Sequence, residues 1–145
     1  MGTRHSCGFE SFSRALIKIA HRGNTGGTSE LENSPERVLE VLSKGYDVEV
    51  DAWYSEDSET FMLGHDEPQY KVSLDFLKTR GLWVHCKEVS CFRRLLKEPS
   101  INCFMHDHAS WVRGIPAVTS HKYLWFYPEV YTFEGTIVGI CGDEL

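Results

Sequence analysis

The sequence predicts an α/β domain whose mostly parallel sheet is either open or closed into a barrel. Short apolar runs typical of strands alternate along the chain with amphipathic stretches typical of helices, and this alternation is characteristic of parallel sheets. Several apolar runs end in ionisable residues, at the position where α/β proteins build their sites. The chain has 145 residues, a length that suits one domain with a core of its own.

The helices and strands can be placed in order from local signals. Ser34 is a favourable N-cap followed by proline, so the first helix is expected to start there, and Gly45 is expected to end it. Two further helix-like stretches cover residues 73–78 and 91–97. The apolar runs predict strands at residues 16–20, 46–53, 59–63, 82–86, 102–105, 123–126 and 136–141.

Composition and charge exclude several classes of protein. Fifteen basic and twenty-one acidic residues leave a net charge of −6, which argues against a protein held to nucleic acid mainly by phosphate contacts. No apolar run approaches the roughly 20 residues that span a bilayer, so an integral membrane protein is not expected. Residues 1–14 are polar and lack the apolar core of a secretory signal. We expect them to be a flexible leader, and residues 15–145 to form a single cytoplasmic domain.

The cysteines favour a reduced protein. There are five of them, and no pair has the C-x-x-C spacing of a zinc ribbon or a redox motif. An odd count without that spacing suits free thiols in a reducing cytosol. Cys86, Cys103 and Cys141 lie inside apolar strand-like runs, so we expect them to pack as small apolar side chains in the core.

Ionisable residues occupy one face of two predicted strands. Because side chains alternate along a strand, Glu49 and Asp51 share one face of the second strand, opposite its valines. His85 and Lys87 lie in the same way opposite the apolar residues of the fourth strand. The Glu49-x-Asp51 pair taken alone would more often lie on a solvated edge of a sheet. Histidines at two further strand ends favour a site instead, and they occur as His21-Arg22 and His65-Asp66.

The order of these residues resembles the signature of the glycerophosphodiester phosphodiesterases, a family of the phospholipase-C-like phosphodiesterase superfamily. That signature has the form HR, E-x-D and HD, carried here by His21-Arg22, Glu49-x-Asp51 and His65-Asp66. The Glu32-Asn33 step and Lys87 also match it, so the resemblance runs from Ile17 to Lys87. Residues 83–87 and 125–128 are similar to segments of short, mostly uncharacterised members of the superfamily.

The resemblance implies a (β/α) barrel of the TIM type with its site at the carboxyl ends of the strands. An ordinary eightfold barrel takes about 250 residues, and this chain is much shorter and has few convincing helices. We therefore expect a shortened (β/α) TIM-type barrel in which several helices are reduced to loops. Such a barrel would expose apolar strand edges, which favours a homo-oligomer.

The resemblance also implies a divalent metal ion. Glu49 and Asp51 would be its ligands, with Glu32 or His85 completing the set. Long members of the family carry a glutamate at the position of His85, and this departure leaves the identity of the ion open. Mg²⁺ or Ca²⁺ is the first expectation, and Mn²⁺ or Zn²⁺, which accept imidazole better, is the alternative.

The same resemblance assigns the acid–base chemistry and the substrate contacts. His21 and His65 are implied to be the acid and the base, because imidazole titrates near neutral pH. Arg22 and Lys87 would bind the anionic phosphate, the first as a bidentate fork and the second as a point charge.

Three later segments supply further expectations. His106 is a candidate for the rim of the site, and Trp125 is a candidate wall of the substrate pocket. Asp143 and Glu144 follow the last predicted strand and are expected to be a solvated tail.

Together these roles predict a phosphoric diester hydrolase of lipid metabolism that acts on a small glycerophosphodiester-type substrate. Two alternatives stay open. One is a phospholipase-like transfer that yields a cyclic phosphate. The other is a non-catalytic module that binds phosphate or metal.

Overall fold

The described part of the chain forms one mixed β-sheet with three short helices. The computed structural model describes residues 17–105, 117–118, 124–126 and 139–145. Its helices are α1 (Pro35–Ser43), α2 (Leu74–Leu77) and α3 (Val89–Leu95). Its strands are β1 (Ile17–His21), β2 (Asp47–Ser55), β3 (Thr60–Leu63), β4 (Tyr70–Val72), β5 (Leu82–Cys86), β6 (Asn102–Phe104), β7 (Ala117–Val118), β8 (Leu124–Phe126) and β9 (Gly139–Gly142). No helix within these ranges has the length and apolar character needed to cross a membrane.

The sheet is built around β2. This strand is parallel to β1 on one side and to β5 on the other. Parallel pairing continues from β1 to β9 and β8, and from β5 to β6. The end of β2 pairs antiparallel with β3, β3 pairs antiparallel with β4, and β7 pairs antiparallel with β8. The centre of the sheet is therefore parallel, and antiparallel strands extend it.

The sheet is not the shortened (β/α) TIM-type barrel that the resemblance implied. Among the described strands, β6 pairs with β5 alone and β7 pairs with β8 alone, so the strand order ends there instead of closing. Residues 56–59 join β2 to β3, and residues 64–69 join β3 to β4. A connection between parallel strands needs about a dozen residues. These shorter connections force antiparallel pairing, and the result is a mixed sheet.

The predicted strands and helices are confirmed where the structure describes them, with small differences at their ends, and residues 16, 123 and 136–138 of the predicted strands lie outside the described residues. Ser34 caps α1, because its Oγ accepts a hydrogen bond from the amide of Arg37 at 3.5 Å. Gly45 ends the helix, with a φ of 92° and an amide that donates to the carbonyl of Leu42 at 3.1 Å. Strands β4 and β7 were not predicted, because they have three and two residues and carry too little alternation to be recognised.

The main apolar core lies between the sheet and the helices. Val48, Val50 and Val84 of the two central strands are fully buried, and Val38 and Val41 of α1 pack with them. Four cysteines are buried free thiols: Cys86, Cys91, Cys103 and Cys141. The expectation that Cys86, Cys103 and Cys141 pack as apolar core residues is thus confirmed.

The opposite face of the sheet carries a smaller apolar layer. Its buried members are Ile19, Trp83, Phe104 and Cys141, one from each of four parallel strands. Two residues further along three of these strands, the same face presents His21, His85 and Asp143. The small apolar layer therefore lies directly next to the polar residues at the carboxyl ends of the strands, on the same face of the sheet.

Candidate metal centre and active site

Strand register brings the predicted site residues of three strands together. His21 lies beside Glu49 in the ladder between β1 and β2, and Asp51 lies beside His85 in the ladder between β2 and β5. Because side chains alternate along each strand, all four share one face of the sheet. The carboxyl ends of these parallel strands therefore place two carboxylates and two imidazoles next to one another.

Glu49, Asp51 and His85 form a compact group of candidate metal ligands, which we call the triad. One ligand atom from each residue lies within 4.8 Å of the others. His85 Nδ1 is 2.9 Å from Asp51 Oδ1 and 3.8 Å from Glu49 Oε1. The relative exposures are 0% for Glu49, 1% for Asp51 and 8% for His85. Two carboxylates buried so close together are costly unless cations or hydrogen bonds compensate them.

Asp51 is compensated by hydrogen bonds and by two cations. Asn33 Nδ2 donates to Asp51 Oδ2 at 2.9 Å, and the Asp51 amide donates back to Asn33 Oδ1 at 2.9 Å. Arg22 Nε lies 3.3 Å from Oδ2, and Lys87 Nζ lies 3.9 Å from Oδ1. Burial raises the pKa of Asp51, but the hydrogen bonds from His85 and Asn33 outweigh burial and hold this pKa well below its ordinary range. Asp51 is therefore ionised at neutral pH.

Glu49 has one engaged oxygen and one unpaired oxygen. The Arg22 amide donates to Oε2 at 3.3 Å, and His21 Nε2 lies 3.8 Å from the same atom. Oε1 is buried and has no hydrogen-bond partner among the residues that the structure describes. Burial and the charge of Asp51 raise the pKa of Glu49 to about 7. A buried, unpaired carboxylate oxygen that faces two other ligand atoms is the arrangement expected where a cation binds.

Arg22 and Asn33 make these contacts from unusual backbone conformations. Both have left-handed φ values, 55° for Arg22 and 62° for Asn33, which are uncommon for residues other than glycine. The Asn33 amide donates to the Arg22 carbonyl at 3.0 Å, and this hydrogen bond links the turn at Arg22 to the turn at Asn33. Strained positions of this kind persist where the surroundings over-determine them, and they cluster at functional sites.

Glu32 lies on the outer side of Arg22. Its Oε2 accepts a hydrogen bond from Arg22 Nη1 at 2.9 Å. Glu32 and Asp51 thus hold the guanidinium between them. The structure brings Glu32 to Arg22 and not to the triad, where His85 supplies the third ligand atom.

Asp143 is a site residue that the sequence analysis placed in a solvated tail. Its Oδ1 accepts hydrogen bonds from His21 Nδ1 and from Asn24 Nδ2, each at 2.9 Å. Burial alone lowers the pKa of His21, but the bond to Asp143 and the charge of Glu49 outweigh it, so this pKa is raised. The signal was present in the sequence, because one glycine separates Asp143 from the end of a predicted strand, as one glycine does for His65. It was not recognised because nothing local shows that β9 lies beside β1.

Replacing Asp143 by asparagine should lower the pKa of His21. The raised pKa means that His21 stabilises the folded protein fully below the unfolded pKa of about 6.5, and that this stability is lost as pH rises through the higher folded pKa. The amide carries no charge, so both the pKa and this acid-side stability should decrease. An NMR titration of the imidazoles in metal-free protein measures the change. Asp66→Asn, which touches His65, is the matched control, and an unchanged His21 pKa in Asp143→Asn would contradict the prediction.

His65 lies in the turn that follows β3. Its Nδ1 is 2.8 Å from Asp66 Oδ1, and its side chain is 41% exposed. The preceding residue, Gly64, donates its amide to the Asp51 carbonyl at 3.1 Å and accepts from Trp53 Nε1 at 2.7 Å. A Cβ at Gly64 would lie 1.9 Å from the Glu67 carbonyl oxygen, so the turn requires glycine. His65 is thus tethered beside the end of β2, and among the described residues no hydrogen bond or ion pair joins it to the triad.

The contacts described above do not test the predicted substrate-binding roles of His106 and Trp125. His106 lies outside the described residues. Trp125 lies in β8, in register with Ala117 and Gly139, and its role as a pocket wall stays a prediction.

Comparison with known proteins identifies no relative of this chain. No protein-family model, no curated protein and no solved structure matches it.

Proposed function

We propose that this protein is a metal-dependent phosphodiester hydrolase that acts on a small glycerophosphodiester-type substrate. The observation that carries the proposal is the buried triad with its unpaired Glu49 oxygen, placed beside an imidazole and two cationic side chains. A phosphodiester is anionic and resists hydrolysis, so its catalyst must offset negative charge and move a proton. The groups around the triad are of the types that can do both.

The triad fits a divalent cation. Two carboxylates and one imidazole are common ligands of catalytic metal ions, and the unpaired Glu49 Oε1 is a buried carboxyl oxygen that no described donor satisfies. Glu49, Asp51 and His85 would hold the ion. When bound, such an ion supplies Lewis-acid stabilisation of a phosphoryl oxygen.

Arg22 and Lys87 are placed to bind the phosphate. The Arg22 guanidinium is held by Glu32 and Asp51 and is one-fifth exposed, so it is oriented before substrate arrives. Lys87 approaches Asp51 from β5, and its side chain is also partly exposed. A preorganised guanidinium and an ammonium on one edge of the site would orient the phosphate without a large entropic cost.

His21 is placed to transfer a proton through Nε2. Its Nδ1 faces Asp143, which leaves Nε2 on the side of Glu49 Oε2. A carboxylate on Nδ1 fixes the ring and favours the protonated form when Nε2 takes up a proton. His65 would supply the second acid–base group from the turn after β3.

Hydrolysis assays test the proposal. Purified protein is given bis(p-nitrophenyl) phosphate or glycerophosphocholine with Mg²⁺, Mn²⁺, Ca²⁺, Zn²⁺ or EDTA. We expect metal-dependent turnover that His21→Ala and Glu49→Ala each reduce by about 100-fold or more. Glu56→Ala, at an exposed glutamate between β2 and β3, is the control and should retain activity. Turnover that is equal in EDTA, or unaffected in both variants, would overturn the proposal.

One observation favours the non-catalytic alternative. His65 pairs with Asp66 and is well exposed, so of the two predicted acid–base groups only His21 lies against a triad residue in the described part of the chain. A site that binds metal and phosphate needs only the triad, Arg22 and Lys87. A folded, metal-loaded protein that binds inorganic phosphate but hydrolyses neither substrate would support this alternative.

A further inference from the structure

We infer that the triad is a transition-metal site, selective for Zn²⁺ over Mg²⁺ and Ca²⁺. The inference rests on the proposed function for what the site is used for, and on the geometry of the triad for what it binds. Three features carry it: a fixed imidazole nitrogen, one available oxygen on each carboxylate, and a donor set that mixes this nitrogen with only two carboxylates.

The imidazole of His85 is fixed with a nitrogen at the centre of the triad. Its ring stacks on Phe104, with centroids 5.2 Å apart and planes 10° apart. Phe104 is fully buried and in register with His85 in the ladder between β5 and β6. Nδ1 is thereby directed at Asp51 Oδ1 and Glu49 Oε1. A metal ion at Nδ1 requires that nitrogen to be deprotonated, so the bound imidazole would carry its proton on Nε2.

The carboxylates each direct one oxygen toward that nitrogen. Asp51 Oδ2 is held by Asn33 and Arg22, and Glu49 Oε2 is held by the Arg22 amide. The remaining oxygens, Asp51 Oδ1 and Glu49 Oε1, are the ones that face His85. Outer contacts that fix the ligands in this way are typical of built metal sites and are worth 10- to 100-fold in affinity.

The donor set suits zinc better than the alkaline-earth ions. Catalytic zinc sites use three protein ligands of nitrogen and oxygen type and keep one position open. Ca²⁺ takes 6–8 oxygen ligands, and Mg²⁺ prefers carboxylate and water oxygens to imidazole nitrogen. The triad offers two carboxylate oxygens and one imidazole nitrogen. That is a small set for Ca²⁺, and one of its three donors is of a type that Mg²⁺ disfavours.

Equilibrium metal binding tests the inference without an activity readout. Metal-free protein is titrated with Zn²⁺, Mg²⁺ or Ca²⁺ by calorimetry, and Co²⁺-loaded protein reports nitrogen ligation by visible absorption. We expect wild type to bind Zn²⁺ at least about 100-fold more tightly than Mg²⁺. His85→Glu should reduce that ratio by about tenfold or more by exchanging nitrogen for a third carboxylate, and the Co²⁺ spectrum should change.

Two further variants keep the test decisive. If the third buried carboxylate of His85→Glu prevents folding, His85→Gln is used in place of that variant. The neutral amide of glutamine should weaken Zn²⁺ binding and leave Mg²⁺ binding within about threefold of wild type. His65→Gln removes an exposed imidazole outside the triad and controls for adventitious zinc binding, so its affinity ratio should equal that of wild type.

The outcomes separate this inference from the proposed function. Mg²⁺ or Ca²⁺ binding as tight as Zn²⁺ in wild type, or a ratio unchanged in both His85 variants, overturns the inference even if the protein hydrolyses diesters. Zinc-selective binding that depends on His85 supports the inference, and if it is accompanied by no hydrolysis in any metal, only the proposed function fails.

Discussion

Asp51→Asn should destabilise the folded protein by about 3–5 kcal/mol and abolish metal binding, because removing one member of a buried ionic network leaves its partners uncompensated. Asp51 is 1% exposed and has the cations Arg22 and Lys87 and the imidazole of His85 around it. Asparagine has nearly the same shape but no charge. Its amide group would also present N–H donors to neighbours that are themselves donors.

Chemical denaturation of metal-free protein at pH 7 measures this effect. Asp47→Asn is the matched control, because Asp47 precedes Asp51 on the same strand and the same face but accepts a hydrogen bond from neutral Trp83 Nε1 at 2.8 Å. The asparagine oxygen can accept the same bond, so that variant should change stability by no more than about 1 kcal/mol. Equal losses in the two variants would show that Asp51 is not the centre of a charge network.

Glu49→Gln should stabilise the metal-free protein at alkaline pH while it abolishes the proposed metal-dependent activity. Burial and the charge of Asp51 raise the pKa of Glu49 from 4.5 to about 7. Between those values the folded state binds more protons than the unfolded state, so stability falls as pH rises. At 1.36 kcal/mol per pKa unit, the folded wild-type protein loses up to about 3 kcal/mol across this window. Glutamine carries no charge and avoids the loss.

Denaturation of wild type and Glu49→Gln in EDTA from pH 4.5 to pH 8 tests this expectation. The stabilities should agree within error at pH 4.5 and diverge in favour of the variant as pH rises. Added Zn²⁺ should reverse the order at pH 8, because binding to the native state stabilises only the protein that retains its ligand. Glu56→Gln, at an exposed position, should follow wild type throughout. Parallel stability curves in EDTA for wild type and Glu49→Gln would refute the buried-charge interpretation.

The two predictions together distinguish a metal site from a structural ion-pair network. In a purely structural network, Glu49→Gln would relieve a buried charge and have no metal-dependent cost. In a metal site, the same substitution stabilises the metal-free protein and removes the stabilisation that the added ion provides. This stability–function conflict is expected where evolution keeps an unfavourable buried charge for binding.

Much of the site could be predicted from local sequence pattern. Alternation along β2 placed Glu49 and Asp51 on one face, and alternation along β5 placed His85 opposite the apolar core. The structure has the same arrangement. The start of α1 at Ser34 and the burial of the strand cysteines were likewise predictable, because capping and apolar runs are properties of adjacent residues. Strand alternation, helix capping and apolar runs depend on residues that are close together in the sequence, so they can be recognised without knowledge of the rest of the fold.

The partners of those residues could not be predicted in the same way. The His21–Asp143 bond joins residues 122 positions apart, and it exists because β9 lies parallel to β1. Likewise, Asn33 contacts Asp51 from a turn with a left-handed backbone conformation, and no periodic pattern in the sequence predicts that conformation. Closure of the sheet was predicted wrongly from the resemblance, since short links after β2 and β3 produce antiparallel strands instead of further β/α units. The face that each side chain occupies follows from the period of its own strand. Which strands become neighbours, and therefore which charges meet, depends on packing between distant segments.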